Sequence, residues 1–311
     1  MTIGIALAPA NAGNYVDATV TQARTVHELG VGSVWFGQRM DYDSPVLAAI
    51  VGREIPGLQV GTSAIPVVGR HPLIVASQAQ TAQAATHGRY HLGLAVGSAL
   101  VAGAFGTPFD HPIARLREFL TAITQLLDAG TADFHGELLT ATPTLPTAVP
   151  GASPRTPVLV AAMGPQALRV TGELADGILP YLAGPKTLSE HIIPAITRAS
   201  ATTPRVIAFV PAVVTADAEA VRAQAIDKLA FYEQVPSYRR VIDLEGATRA
   251  AELALIGDEE TVAAGIQHYF DAGATEVVFT STNLSTPEDE HRTWALAGQL
   301  AADRTAATAS A

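Results

Sequence analysis

The chain has 311 residues, enough for one large α/β domain or two ordinary ones, with 48% apolar and only 15% charged residues. Its formal net charge of −10 repels phosphodiester backbones and argues against a nucleic-acid partner, and the lack of cysteine excludes disulfides, thiolate nucleophiles and Cys-ligated zinc. The opening stretch MTIGIALAP has neither a basic region nor a long apolar run. No membrane association is expected from it, and a cytoplasmic location is the default expectation.

Strand-like and helix-like runs alternate along the chain. IGIALA (3–8) precedes a helix over 14–29 that closes at Gly30, and SVWFG (33–37) precedes one over 44–53. LQVGTSA (58–64) leads to a helix over 72–86 ending at Gly88. YHLGLAV (90–96) leads, after a glycine-rich loop at 97–111, to one over 112–128 ending near Gly130. PVLVAA (157–162) is followed by a helix over 164–174, GILPY (177–181) by one over 186–200, and RVIAFVPAVV (205–214) by one over 216–233. A helix over 258–272, closed by Gly273, precedes the last run, TEVVFTS (275–281).

Eight such repeats predict a parallel sheet covered by helices, and in this length they favour a (β/α)8 TIM barrel over an open sheet. Segments 97–111, after the fourth strand, 131–156 and 234–256 do not fit the plain repeat and are expected as insertions; 131–156 reads as a short antiparallel excursion followed by a Pro-rich connector. None is long enough to require a second domain, so residues 1–301 are expected to form one domain. Residues 302–311 have no apolar period and are expected to be a frayed tail.

In a barrel, chemistry belongs to strand C-termini and the loops beyond them, here including Pro9 to Asn14. The third strand ends in small residues, and Ser63 with Ala64 leaves room for a flat ring where Leu or Phe would fill the space. Small residues that merely balance large ones in a barrel interior are the competing explanation. After the fifth strand, Met163-Gly164 opens a helix at Pro165, whose unpaired N–H groups suit an anion such as phosphate, although Gly-Pro is also an ordinary helix start. Gly177, after Ala175-Asp176, gives a second loop close access to the same group. His71, beside Arg70 and before Pro72, reads equally as a helix cap or as a site residue. No His, Asp or Glu cluster has ligand spacing, so no metal is expected, and a P-loop, a nucleophile elbow and a GxGxxG after the first strand are all missing.

The ordered set IGIALAPANAGNYVD, SVWFGQRMDYDSP, GTSAIPVVGRHPLIVASQAQTAQAATHGRYHLGL, MGPQALRVTGELADG, FYEQVPSYRRVID and LIGDEETV resembles the bacterial luciferase-like flavin and deazaflavin oxidoreductases. It looks most like their actinobacterial branch that uses coenzyme F420, and the resemblance covers nearly the whole chain. It implies a luciferase-like TIM barrel and a non-prolyl cis peptide at the end of the third strand, at Ser63-Ala64 or else Ala64-Ile65, supporting the deazaflavin ring. It implies cofactor phosphate near Met163-Gly164 and Ala175, Asp176 and Gly177, with Gly97-Ser98 beside the ribityl chain. Arg70 is a candidate to offset the cofactor's negative charge.

Where many members carry an acidic or Asp-His pair after the second strand, this chain has Gln38 and Arg39. Arg39 is then a candidate to hold an anionic substrate or cofactor edge, and Gln38 a hydrogen-bonding group. With His71 these are the candidate catalytic residues. The implied activity is hydride transfer between C5 of F420 and a small, largely apolar carbonyl, enone, imine or alcohol, with Leu100, Phe105 and Phe109 as apolar contacts. The alternatives are an FMN-dependent monooxygenase and a flavin-binding barrel without turnover. A homodimer is implied by resemblance only.

Overall fold

The computed structural model describes residues 1–8, 13–280 and 282–309, so most of the expected strand-end loop Pro9 to Asn14 lies outside the described residues. In chain order the elements begin β1 Thr2–Ala6, α1 Tyr15–Glu28, β2 Ser33–Phe36, α2 Ser44–Glu54, β3 Gln59–Thr62, β4 Ile65–Pro66, α3 Pro72–Ala85 and β5 Tyr90–Ala95. They continue through α4 Ala99–Ala104, α5 Pro112–Ala129, the hairpin strands β6 Phe134–His135 and β7 Thr140–Ala141, β8 Val158–Ala161, α6 Pro165–Leu174 and β9 Gly177–Ile178. The rest are α7 Pro185–Thr187, α8 Ile193–Ala199, β10 Arg205–Val214, α9 Ala218–Glu233, α10 Pro236–Glu245, β11 Leu255–Gly257, α11 Glu259–Asp271, β12 Glu276–Thr280 and α12 Pro287–Ala309.

Each of the eight expected strands is present, and the glycines expected to close helices, Gly30, Gly88, Gly130 and Gly273, have φ of 100°, 84°, 66° and 102°. The irregular segments hold short elements of their own. Segment 97–111 contains α4, 131–156 contains the β6–β7 hairpin, and 234–256 contains α10 and a 3-10 turn at Ala250–Leu253. The tail expectation is corrected, because α12 runs through residues 302–309. An alanine-rich stretch needs little apolar periodicity to stay helical once it is anchored. Here the Arg304 guanidinium lies 3.7 Å over the Phe270 ring and donates to Gln267 Oε1 at 2.6 Å.

The chain divides into two compact units. The first comprises Met1–Val34, Leu179–Ala195 and Arg205–Ala311. Its strands run parallel in the order β11-β10-β12-β1, in register from Ala212↔Leu255 through Phe209↔Val278 to Gly4↔Val278. Ile3, Ile5, Val210 and Val277 fill its core.

The second unit comprises Trp35–Ile178 and Ile196–Pro204. Its order is β2-β3-β5-β8-β9, with parallel pairs at Val60↔Tyr90, Leu94↔Val160 and Leu159↔Gly177. Nearly continuous apolar strands such as VLVA suit a sheet buried on both faces. Trp35, Phe36, Tyr90, Leu92 and Leu94 are among its fully buried side chains. Gly61 lets β3 pass the Trp35 ring: a Cβ there would sit 2.4 Å from Trp35 Cζ3. Among the described residues no helix is long and apolar enough to cross a membrane.

Candidate functional site at the strand ends of the second unit

Because the strands of this unit are parallel, the loops after β2, β3, β5 and β8 all leave from one end of its sheet. The end of β3 is where the backbone departs from a plain ladder. Gly61 pairs with His91, but Ile65 pairs with Leu94, so the register slips by one residue across a bulge. Thr62 clamps the slip, its buried Oγ1 donating to the Gly93 carbonyl at 3.0 Å and accepting from the Gly93 N–H at 2.8 Å. Ser63 N–H donates to the Phe36 carbonyl at 2.8 Å, and the Ser63-Ala64 peptide is cis. Both residues are half-buried between fully buried neighbours, so this small edge faces outward at the sheet end.

Gln38, Arg70 and the start of α2 form one polar network. The Gln38 amide nitrogen donates to the carbonyls of Arg39 at 2.6 Å and Tyr42 at 2.7 Å, while its oxygen accepts from Arg70 Nη2 at 3.0 Å and Ser44 Oγ at 3.1 Å. Asp43, 3.8 Å from Arg70 Nη2, caps α2 by accepting from Val46 N–H at 3.0 Å. Burial foremost, with the nearby charge of Asp43, raises the pKa of the Tyr90 phenol, so Tyr90 stays neutral. Arg39 turns away, paired with Asp41 at 2.8 Å and 54% exposed.

His71 caps α3. Its Nδ1 accepts from Leu73 N–H at 3.2 Å, and Nε2 lies 2.9 Å from the Thr140 carbonyl, clipping the β6–β7 hairpin. Both ring nitrogens are therefore engaged with backbone, and of the two readings of His71 the cap is the one built here. Ser98 likewise caps α4, its Oγ accepting from Val101 N–H at 3.3 Å. Gly97, at φ 91°, lies under Val68, where a Cβ would come within 2.7 Å of Val68 Cγ1. Leu100 and Phe105, on and just after α4, are 74% and 43% exposed, and Met40 in the loop after β2 is 67% exposed.

Beyond β8, Gly164 is the N-cap of α6 with no side-chain cap, and nothing lies within 4 Å of where its Cβ would be. Pro165 removes one N–H, and those of Gln166 and Ala167 stand without a side-chain cap at the positive end of a ten-residue helix.

Ala175, Asp176 and Gly177 do not join this cluster, which corrects the expectation that they share the phosphate seat. Asp176 Oδ2 accepts from Val158 N–H at 2.6 Å and from Arg155 Nη1 at 2.7 Å, and Asp176 N–H donates to the Val158 carbonyl at 2.8 Å. Val158 is the first residue of β8, so this trio sits at the opposite sheet end. The reason is directional: α6 runs back down the sheet, and its C-terminus delivers the chain to the start of β9, not to a strand end. Asp176→Ala is therefore expected to cost about 1–2 kcal/mol of stability, read by urea unfolding, while leaving ligand affinity at the other end unchanged.

The structure thus gathers Gln38, Ser63, Ala64, Arg70, Gly97, Ser98, Met163 and Gly164 at one end of the sheet, with His71 behind them as a cap. The Thr62 clamp and the Asp43–Ser44 contacts to the Gln38–Arg70 pair escape sequence reasoning, since a strand Thr and an N-cap Asp carry no signal of whom they will touch. Another such residue is Glu118 of α5, which accepts from the N–H groups of Glu137, Leu138 and Leu139 at 2.9–3.0 Å and so fixes the hairpin turn.

Comparison with known proteins agrees with this architecture. Residues 1–276 match the luciferase-like monooxygenase family. An uncharacterized protein of Mycobacterium bovis is 30% identical over 208 residues, covering 61% of this chain and 61% of that one, so the chain spans about three-fifths of the length of that relative. The F420-dependent glucose-6-phosphate dehydrogenase of Kineococcus radiotolerans is 28% identical over 286 residues, covering 81% and 83%. Among solved structures, the coenzyme F420 dependent tetrahydromethanopterin reductase of Methanopyrus kandleri superposes with a TM-score of 0.77 over 96% of this chain and 97% of that one, at 21% identity. That likeness establishes an α/β barrel fold.

Proposed function

Since the chain belongs to the luciferase-like monooxygenase family, we propose that it is an F420-dependent oxidoreductase acting on a small, largely apolar carbonyl, enone, imine or alcohol. The observation that carries this reading is the pairing of the half-buried Ser63-Ala64 edge with the open, uncapped α6 N-terminus at one end of a single sheet. A flat ring fits against the first, and a phosphate fits the donors of the second. When bound, F420 supplies a ring carbon, C5, that gives or takes a hydride.

The chain's own residues do the rest. Ser63 and Ala64 bring small side chains and backbone close to the ring. Gly164 admits the phosphate to the N–H groups of Gln166 and Ala167. Arg70, oriented by Gln38, places positive charge at the same sheet end in a protein whose net charge is −10. Met40, Leu100 and Phe105 supply apolar surface for the substrate and for excluding water.

Absorbance titration of the purified protein with F420 and, separately, with FMN tests the reading. F420 is expected to bind at least about tenfold tighter, a difference of about 1.4 kcal/mol. Tighter FMN binding would replace the proposal with a flavin monooxygenase, and binding of neither would overturn it.

A further inference from the structure

The Ser63-Ala64 edge owes its freedom to the side chain that precedes it. Between the pairs Gly61↔His91 and Ile65↔Leu94, three residues of one strand, Thr62, Ser63 and Ala64, stand opposite two of the other, Leu92 and Gly93. In a parallel ladder alternate residues turn their N–H and C=O groups to the same neighbouring strand. Leu92 N–H goes to the Pro157 carbonyl at 2.9 Å, on the β8 side, so the groups of Gly93 face β3.

The rungs on that side begin where Val60 N–H donates to the Arg89 carbonyl at 2.9 Å. Continued in steps of two, the ladder would give the Gly93 carbonyl to the Ala64 N–H and the Ala95 carbonyl to Pro66, which has no N–H. The slip removes that conflict, since Val67 N–H reaches the Ala95 carbonyl instead, at 2.8 Å.

The slip would also strand Gly93, which is buried. Thr62 Oγ1 serves both of its backbone groups, accepting from the N–H at 2.8 Å and donating to the carbonyl at 3.0 Å. Ser63 N–H turns the other way, to the Phe36 carbonyl of β2 at 2.8 Å. Among the described residues, Ser63 Oγ and Ala64 N–H then make no hydrogen bond.

We propose that Thr62 is the positioning residue of the ring seat: its hydroxyl takes the Gly93 carbonyl in place of the Ala64 N–H, and so keeps that N–H and the Ser63 hydroxyl free for the polar edge of the ring. This inference rests on the oxidoreductase reading. Thr62 is fully buried and acts only through Ser63 and Ala64. Without its hydroxyl the Gly93 carbonyl recruits the Ala64 N–H, and the edge is drawn into the ladder.

The test compares Thr62→Val, which keeps the shape and lacks the hydroxyl, with Thr62→Ser, which keeps the hydroxyl, in the full chain. Asp176→Ala serves as a control weakened at the far end of the sheet. In the wild type without cofactor, the Gly93 amide is expected to resist hydrogen exchange and the Ala64 amide to exchange readily, and F420 is expected to slow Ala64 at least about tenfold. Thr62→Val should protect Ala64 before any cofactor is added and bind F420 about tenfold more weakly, as when about one molecule in ten holds the open edge. Thr62→Ser should stay within about twofold of the wild type in both measurements, and Asp176→Ala should keep its affinity.

An Ala64 amide protected in the wild type without cofactor, an unchanged affinity in Thr62→Val, or an equal loss in Thr62→Ser would overturn the proposal. If Thr62→Val does not fold, the exchange rates of the wild type and Thr62→Ser decide in the same way. Failure of the wild type to bind F420 would instead overturn the oxidoreductase reading, while exchange at Gly93 and Ala64 without cofactor still decides whether Thr62 holds the edge open.

Discussion

Replacing Gly164 with aspartate is expected to weaken F420 binding about a hundredfold while leaving the protein as stable as before, or slightly more so. Gly164 has φ −81° and ψ 150°, an ordinary extended N-cap conformation, and open space where a Cβ would go, so aspartate fits without strain. Its carboxylate would cap α6, a gain of a few tenths of a kcal/mol over glycine. It would also occupy the donors meant for phosphate. Two like charges about 5 Å apart at an effective dielectric of about 20 repel by about 3 kcal/mol, which is the hundredfold loss. Equilibrium titration alongside thermal melts separates the two effects. If affinity were unchanged, the phosphate would have to sit elsewhere.

A stability loss of about 3 kcal/mol or more is expected for Gly298→Ala, from a site remote from any proposed ligand. Gly298 of α12 lies against the end of α1, where a Cβ would come 1.9 Å from the Leu29 carbonyl oxygen. That obstacle is backbone, and Leu29 is the C-cap of α1, bonded through its N–H to the Thr25 carbonyl. No rotamer relieves such a clash; the helix has to move. A drop in Tm of about 5–10 °C is the expected readout.

The scaffold was readable because its signals are local. Apolar runs of four to ten residues alternate with amphipathic stretches, and Pro45, Pro72, Pro112 and Pro165 each stand in the first turn of a helix where the ring is tolerated. α12 was missed for the complementary reason: its stretch ADRTAATA has no apolar stripe, and its anchor at Phe270 is more than thirty residues away in sequence. Strand ends could likewise be located from the repeat, which is why Ser63-Ala64 and Met163-Gly164 fall at one sheet end.

Roles were harder to read than places. Asp176 was expected beside the phosphate because Gly177 offers a second loop close approach and because the resemblance implies it, yet a residue preceding a strand lies at the far end of a parallel sheet. Gln38 and His71 read as chemical groups, but their hydrogen bonds go to backbone carbonyls, to a helix N-terminus and to Arg70. Such partnerships span up to about seventy residues of sequence and are fixed only when the loops meet.

The most direct test is a crystal structure of the protein with F420. The phosphate is predicted to accept hydrogen bonds from the N–H groups of Gln166 and Ala167, with the ring lying against Ser63-Ala64. A phosphate bound at the Arg155–Asp176 end of the sheet, or a ring that makes no contact with Ser63 and Ala64, would contradict the assignment.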